Sequence, residues 1–148
     1  MASYEQLAKE HGAIEQLAAG LVDMLDLPEP DPEATAAAFR VLATELHEHL
    51  AIEDSAIYPR LITAADPGAA ATAERFNAEL AALKQDWQAF RIEWSDEAIR
   101  DDWPIFLDEG HAMLKRIRAR LQAENDLLYP VALQRSIIPL RSPETVWV

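Results

Sequence analysis

The sequence predicts an all-α protein folded as an up-down-up-down four-helix bundle. Three observations carry that prediction. Apolar residues recur three and four apart in four long stretches. Proline, preceded by aspartate or tryptophan, separates these stretches. Period-two alternation is absent, while alanine, leucine, glutamate and arginine abound, so no strand is expected. Amphipathic helices joined by short linkers bury their apolar stripes against one another as a bundle.

Each element has its own signals. Ser3 with Gln6 reads as a capping box opening the first helix, whose stripe is Tyr4, Leu7, Ile14, Ala18, Leu21 and Leu25. The run Leu27-Pro28-Glu29-Pro30 ends it. Asp31 as N-cap and Pro32 at the first helical position begin the second helix. It carries Phe39, Leu42, Leu46, Leu50 and Ile57 and is predicted to run to about Ala64. Asp66-Pro67 repeats the start signal for the third helix, with Phe76, Leu80, Leu83, Trp87, Phe90 and Trp94 on its apolar face. Asp101 or Asp102, followed by Trp103-Pro104, opens the fourth, with Phe106, Met113, Ile117, Leu121, Leu128 and Val131. Residues 1–148 form one predicted domain, with residues 139–148 an irregular tail. Trp147, between Val146 and Val148, packs back on the bundle or into a partner.

Composition narrows the function classes. The chain of 148 residues carries a formal net charge of −13 and no cysteine. That excludes disulfides, thiolate zinc sites, iron–sulfur clusters and a thiol nucleophile. The acidic excess repels phosphate backbones, so nucleic acid is not an expected partner. No apolar run reaches the ~20 residues needed to span a bilayer. The segment Met1-Ala2-Ser3-Tyr4-Glu5-Gln6 lacks a basic region followed by an apolar core, so the expected location is the cytoplasm. The remaining chemistry rests on histidine and carboxylate, and there are four histidines.

An internal repeat points to where that chemistry lies. Residues 46–59 and 117–130 align at a constant offset of 71, pairing Leu50 with Leu121, Glu53 with Glu124, Ile57 with Leu128, and Tyr58-Pro59 with Tyr129-Pro130. The same offset sets His49 opposite Arg120. His49 and Glu53, four apart, lie about 40° from eclipsed on a helix and share the apolar face. Glu124 sits among Ile117, Leu121 and Leu128, and His11 interrupts the first helix's stripe between Leu7 and Ile14. Four polar groups on three helices therefore aim inward. A buried carboxylate needs a counter-charge or a metal, and histidine with carboxylate suits iron, manganese or zinc.

Across roughly residues 4–135 the chain resembles the hemerythrin-like (HHE cation-binding) family. The resemblance is carried by His11, by His49-x-x-x-Glu53 with Asp54 and Ile57-Tyr58-Pro59, and by Glu124-Asn125-Asp126-Leu127-Leu128-Tyr129-Pro130. It implies a four-helix bundle around a carboxylate-bridged, non-haem di-iron centre that binds oxygen or serves iron, redox or nitric-oxide responses. The departures are coherent. Where the family has a histidine four before the fourth helix's glutamate, this chain has Arg120. The family's third helix supplies one or two histidines; this one supplies none, with Phe76 and Asn77 near the expected place. The resemblance assigns the retained His11, His49, Glu53 and Glu124 to one metal and the two bridging carboxylates. The other half of the centre is lost.

Two readings follow. In the first, one iron ion or none is bound, with zinc or manganese as other suitable ions, and Arg120 stands in for the second cation. A single ion cannot supply the two electrons of reversible oxygen carriage, so sensing or binding of oxygen, peroxide or nitric oxide is expected instead. In the second, Arg120 pairs with Glu53 and Glu124 in a metal-free interaction bundle whose acidic surface suits a basic protein; a homodimer is the other assembly expected. A ferritin-type di-metal oxidase ranks last, because no Glu-x-x-His pair faces inward. No residue pattern points to an enzyme. His47, about 200° from His49 on the helix, reads as surface. His111, about 140° from the Glu124 face, reads as exposed or near the bundle end. Tyr58 and Tyr129 read chiefly as packing, with hydrogen bonds to outer groups of the site as the other role. The acidic run from Glu93 to Glu109 reads as a solvated connection between helices.

Overall fold

The computed structural model of the protein describes residues 2–63 and 66–141, all of it helix, turn and loop, with no strand among them. Helix α1 spans Tyr4–Leu25 and α2 spans Pro32–Ile52. A π-turn at Glu53–Ile57 joins α2 to α3, Tyr58–Ile62. Helix α4 runs Pro67–Glu93, α5 Asp96–Asp101 and α6 Trp103–Ala123. A second π-turn, Glu124–Leu128, leads into α7, Tyr129–Gln134. The bundle's four legs are α1, α2 with α3, α4, and α6 with α7. Helix α1 lies against α2 and α6, and α4 against α3 and α6.

The start signals act as expected at most sites. Asp31 accepts from Ala34 N–H at 3.1 Å, and Asp66 from Gly68 N–H at 2.9 Å. Ser3 Oγ accepts from Gln6 N–H at 3.1 Å, and Gln6 Nε2 donates to Glu10 Oε2 at 3.0 Å. Asp102 flanks α6 without a side-chain cap. The second and fourth helices are not continuous, since a π-turn interrupts each. The acidic connection contains α5, capped by Ser95, whose Oγ accepts from Ala98 N–H at 3.2 Å. Of the predicted irregular tail, the start is tied down: Pro139 and Leu140 carbonyls accept from Tyr4 and Glu5 N–H. Trp147 and Ala64 lie outside the described residues.

The apolar core has two parts. One gathers Ile14, Leu21, Leu42, Leu46, Phe106, Ile117 and Leu121, with Phe39, Trp87, Phe90 and Trp94 packed ring against ring. The other gathers Leu7, Ile57, Leu61, Phe76, Leu80 and Leu128. Along α1 the change from the second part to the first falls between Leu7 and Ile14, at His11. Along the other two legs it falls at His49–Glu53 and at Glu124. A polar layer thus crosses the middle of the bundle.

Candidate metal centre

The layer is made by α1, the end of α2 and the end of α6. His11, His49, Glu53 and Glu124 are all buried, at most 2 % exposed. One donor atom from each lies within 4.8 Å of the others. His11 Nε2 and His49 Nε2 are 2.8 Å apart. His49 Nε2 is 2.8 Å from Glu53 Oε1, and His11 Nε2 is 3.1 Å from Glu124 Oε1.

The outer ring nitrogens fix which way the imidazoles face. His11 Nδ1 donates to Asn125 Oδ1 at 2.8 Å, and His49 Nδ1 donates to Glu10 Oε1 at 2.8 Å. With Nδ1 carrying the proton, the Nε2 lone pairs point into the centre, the arrangement a metal-ligating histidine needs. Two such lone pairs 2.8 Å apart, beside two carboxylates, demand positive charge between them. Protons or a cation can supply it. Burial opposes charging His11, but its hydrogen bonds to Glu124 and Glu53 outweigh that and raise its pKa to about 9. His49 is shifted the same way: burial again opposes, and Glu53 and then Glu10 prevail. Glu53 resists the upward push of its own burial because His11 and His49 hold it ionised. Glu124 is pushed up, by burial first and by the Glu53 charge as well, against the pull of His11 and Arg120.

The π-turns place the rest. In each, the tyrosine N–H reaches back five residues, Tyr58 to the Glu53 carbonyl and Tyr129 to that of Glu124. The proline that follows brings no N–H, so the ladder changes register there without a further lost bond. Residues five apart sit about 140° from each other on an α-helix. The widened turn brings each tyrosine round to its glutamate's side. Tyr129 Oη donates to Glu53 Oε1 at 2.8 Å and lies 2.7 Å from His11 Nε2 and 3.0 Å from His49 Nε2. Tyr58 Oη donates to Glu124 Oε2 at 3.4 Å. Packing is therefore not the main role of either hydroxyl, and Tyr129 stands in the centre itself.

Arg120 turns inward, its side chain 9 % exposed. Nε donates to Glu124 Oε2 at 2.8 Å, Nη2 donates to Tyr58 Oη, and the guanidinium carbon lies 4.8 Å from the Phe76 ring centroid. It pairs with Glu124 and Tyr58, not with Glu53 as the second reading expected. Glu53 Oε1 is already taken by His49 and Tyr129. On α4, where the resemblance puts Phe76 near the place of the missing histidines, Phe76 offers a ring face to the cation. His47 is exposed, and His111 bonds Asp26 Oδ1 at 2.9 Å, away from the centre. Sequence reasoning missed Glu10 and Asn125. Glu10 directly precedes His11 and Asn125 directly follows Glu124, and that adjacency was the only sign.

The donor set fits one ion. Two neutral imidazoles and two carboxylates converge, and among the described residues Glu53 Oε2 is buried with no hydrogen-bond partner. Three carboxylates, Glu10, Glu53 and Glu124, against one guanidinium leave the ionised layer two positive charges short of neutral, the deficit of a divalent cation. No helix among the described residues is long and apolar enough to cross a membrane.

The family model of the Hemerythrin HHE cation binding domain matches residues 2–132. No curated protein and no solved structure matches the chain.

Proposed function

The chain belongs to the hemerythrin HHE cation-binding domain family, and from that premise we propose that it holds a single non-haem iron ion between His11, His49, Glu53 and Glu124. Arg120 takes the place of a second cation. The protein then acts in the cytoplasm as a binder or sensor of a small diatomic ligand, oxygen or nitric oxide, and not as a reversible oxygen carrier. The observation that carries this reading is the convergence of four buried donor groups whose imidazole Nδ1 atoms are both tied outward.

When bound, iron supplies an open-shell centre able to take such a ligand. The chain's own residues do the rest. Glu10 and Asn125 orient the two imidazoles. Arg120 pulls Glu124 toward its charged form and stands on the side of the layer facing α4. The two apolar clusters above and below keep water out.

The test is metal counting after loading the purified protein with ferrous iron, manganese or zinc, with a thermal melt alongside. One ion per chain is expected. At a hundredfold excess over Kd the native state gains about 2.7 kcal/mol, or about 5 to 10 °C for a chain of this size. Two ions per chain, or none with an unmoved melt, would sink the reading. Zinc or manganese retained in preference to iron would replace the proposed metal while leaving the site. One observation favours the metal-free interaction bundle as a second reading: the raised His11 pKa, about 9, lets protons supply the positive charge of the layer. An unmoved melt with all three metals would select it.

A further inference from the structure

We propose that the phenol oxygen of Tyr129 is a fifth donor to the ion held by His11, His49, Glu53 and Glu124; the proposal rests on the metal-binding reading above. Metal–nitrogen and metal–oxygen bonds in such sites are about 2.1 Å long, so donors at right angles stand about 3 Å from one another. Three pairs of those donors show that spacing: 2.8 Å between the imidazole nitrogens, 2.8 Å from His49 to Glu53, 3.1 Å from His11 to Glu124, while His11 to Glu53 is wider at 3.8 Å. Tyr129 Oη shows it too, at 2.7, 3.0 and 2.8 Å from His11, His49 and Glu53. A hydroxyl serving only to hydrogen-bond Glu53 would need one of these contacts, not all three. The residue is fully buried, and among the described residues its oxygen has no hydrogen-bond partner outside the donor groups.

Tyr58 provides the internal control. It occupies the equivalent place in the repeat, yet its oxygen faces Arg120 and Glu124 and makes no contact with either imidazole. The two tyrosines have divided the two halves of the layer between them.

Coordination exchanges the phenolic O–H bond for an oxygen–metal bond. The electron pair stays on oxygen, the proton leaves to solvent, and nothing is oxidised. Glu53, Glu124 and the Tyr129 oxygen then make three anionic donors, a set that favours a hard trivalent ion. The site should therefore hold ferric iron more firmly than ferrous.

The experiment is absorption and resonance Raman spectroscopy of the ferric-loaded protein, with iron counted in every sample. A visible phenolate-to-iron charge-transfer band and phenolate ring modes are expected. They should vanish in Tyr129→Phe, read against the iron that variant retains, and persist in Tyr58→Phe. Protein grown on ring-deuterated tyrosine should shift the modes, which identifies a tyrosine ligand without any substitution. If Tyr129→Phe fails to fold, this shift together with persistence in Tyr58→Phe and Tyr4→Phe assigns Tyr129, since the chain has three tyrosines. Iron bound one per chain without phenolate modes overturns the proposal and spares the metal reading, as do modes that survive in Tyr129→Phe. Failure of the wild-type protein to take up iron at all removes both, and the metal count tells the cases apart.

Discussion

Replacing Arg120 with methionine removes the cation and keeps an unbranched apolar stem of similar reach. The guanidinium stands 2.8 Å from Glu124, with the two side chains 9 % and 1 % exposed. At an effective dielectric constant of about 20, charges at that distance attract by roughly 6 kcal/mol. The desolvation already spent on Glu124 is not recovered when its partner goes, and breaking such a pair costs about 3–5 kcal/mol. Glu124 keeps its contact with His11 at 3.1 Å, so the lower end, about 3 kcal/mol, is expected. That corresponds to a fall of about 6 to 12 °C in melting temperature. The loss should be read in metal-free protein by chemical denaturation, then again with saturating metal. A bound ion gives Glu124 its missing counter-charge, so the second loss should be smaller by at least about 1 kcal/mol, close to one decade in affinity. Equal losses with and without metal, or a metal-free loss under about 0.5 kcal/mol, would refute the idea that this arginine acts as a cation of the centre.

Metal-free protein should lose stability as pH rises. His11 holds its proton in the fold up to about pH 9 against 6.5 unfolded, so its contribution is complete below pH 6.5 and gone above about 9, of order 3 kcal/mol. Glu124, raised to about 7, acts in the same direction, whereas Glu53, held low, loses its contribution only on the acid side. Denaturant titrations from pH 5 to pH 9.5 should show this decline, and a flat profile would contradict it. Glu10→Ala removes the acceptor of the His49 Nδ1 proton and should weaken metal binding about 10- to 100-fold, while Glu10→Gln, which keeps an acceptor oxygen, should recover most of it; isothermal titration of both variants decides. Gly12 and Gly20 lie inside α1 with nothing within 4 Å of an added Cβ. Alanine at either should stabilise by about 0.8–1 kcal/mol on helix propensity alone, and a melt that falls would show a constraint on those positions.

The helices were legible because burial writes a period of three and four into the sequence, and Asp-Pro pairs mark where each begins. His11, His49, Glu53 and Glu124 were legible for the same reason, as polar residues on an apolar stripe. What stayed hidden depends on departures from ideal helix. Tyr58 and Tyr129 follow their glutamates by five, a spacing that an α-helix turns away from the site. Only the π-turns bring them in, and periodicity read at 100° per residue has no means of showing a local change in that angle. Helix α5 was hidden by composition, because Asp96, Glu97 and Asp101 make six residues look like solvated loop although Ser95 caps them and Ile99 is buried. Glu10 and Asn125 were hidden because each is a surface-side neighbour of an inward residue, and nothing in one-dimensional spacing separates such a neighbour from any other polar surface residue.

The repeat explains why half a centre survives as a coherent unit. Each copy supplies a residue at the position of His49 or Arg120, a glutamate four later, and a tyrosine five after that. Each tyrosine crosses to the other copy: Tyr129 to His49 and Tyr58 to Arg120. The arginine therefore occupies the place related by the repeat to an imidazole, within reach of the same kinds of oxygen. A guanidinium there brings one positive charge with its donors aimed at Glu124 and Tyr58, so the lost ligands do not leave Glu124 without a counter-charge. The other half rests on contacts that Arg120 does not make, since Glu53 bonds His49 and Tyr129. Glu124 is the joint between the halves, touching His11 with one oxygen and Arg120 with the other. That carboxylate thus links His11 directly to the guanidinium, which stands on the Phe76 ring of α4.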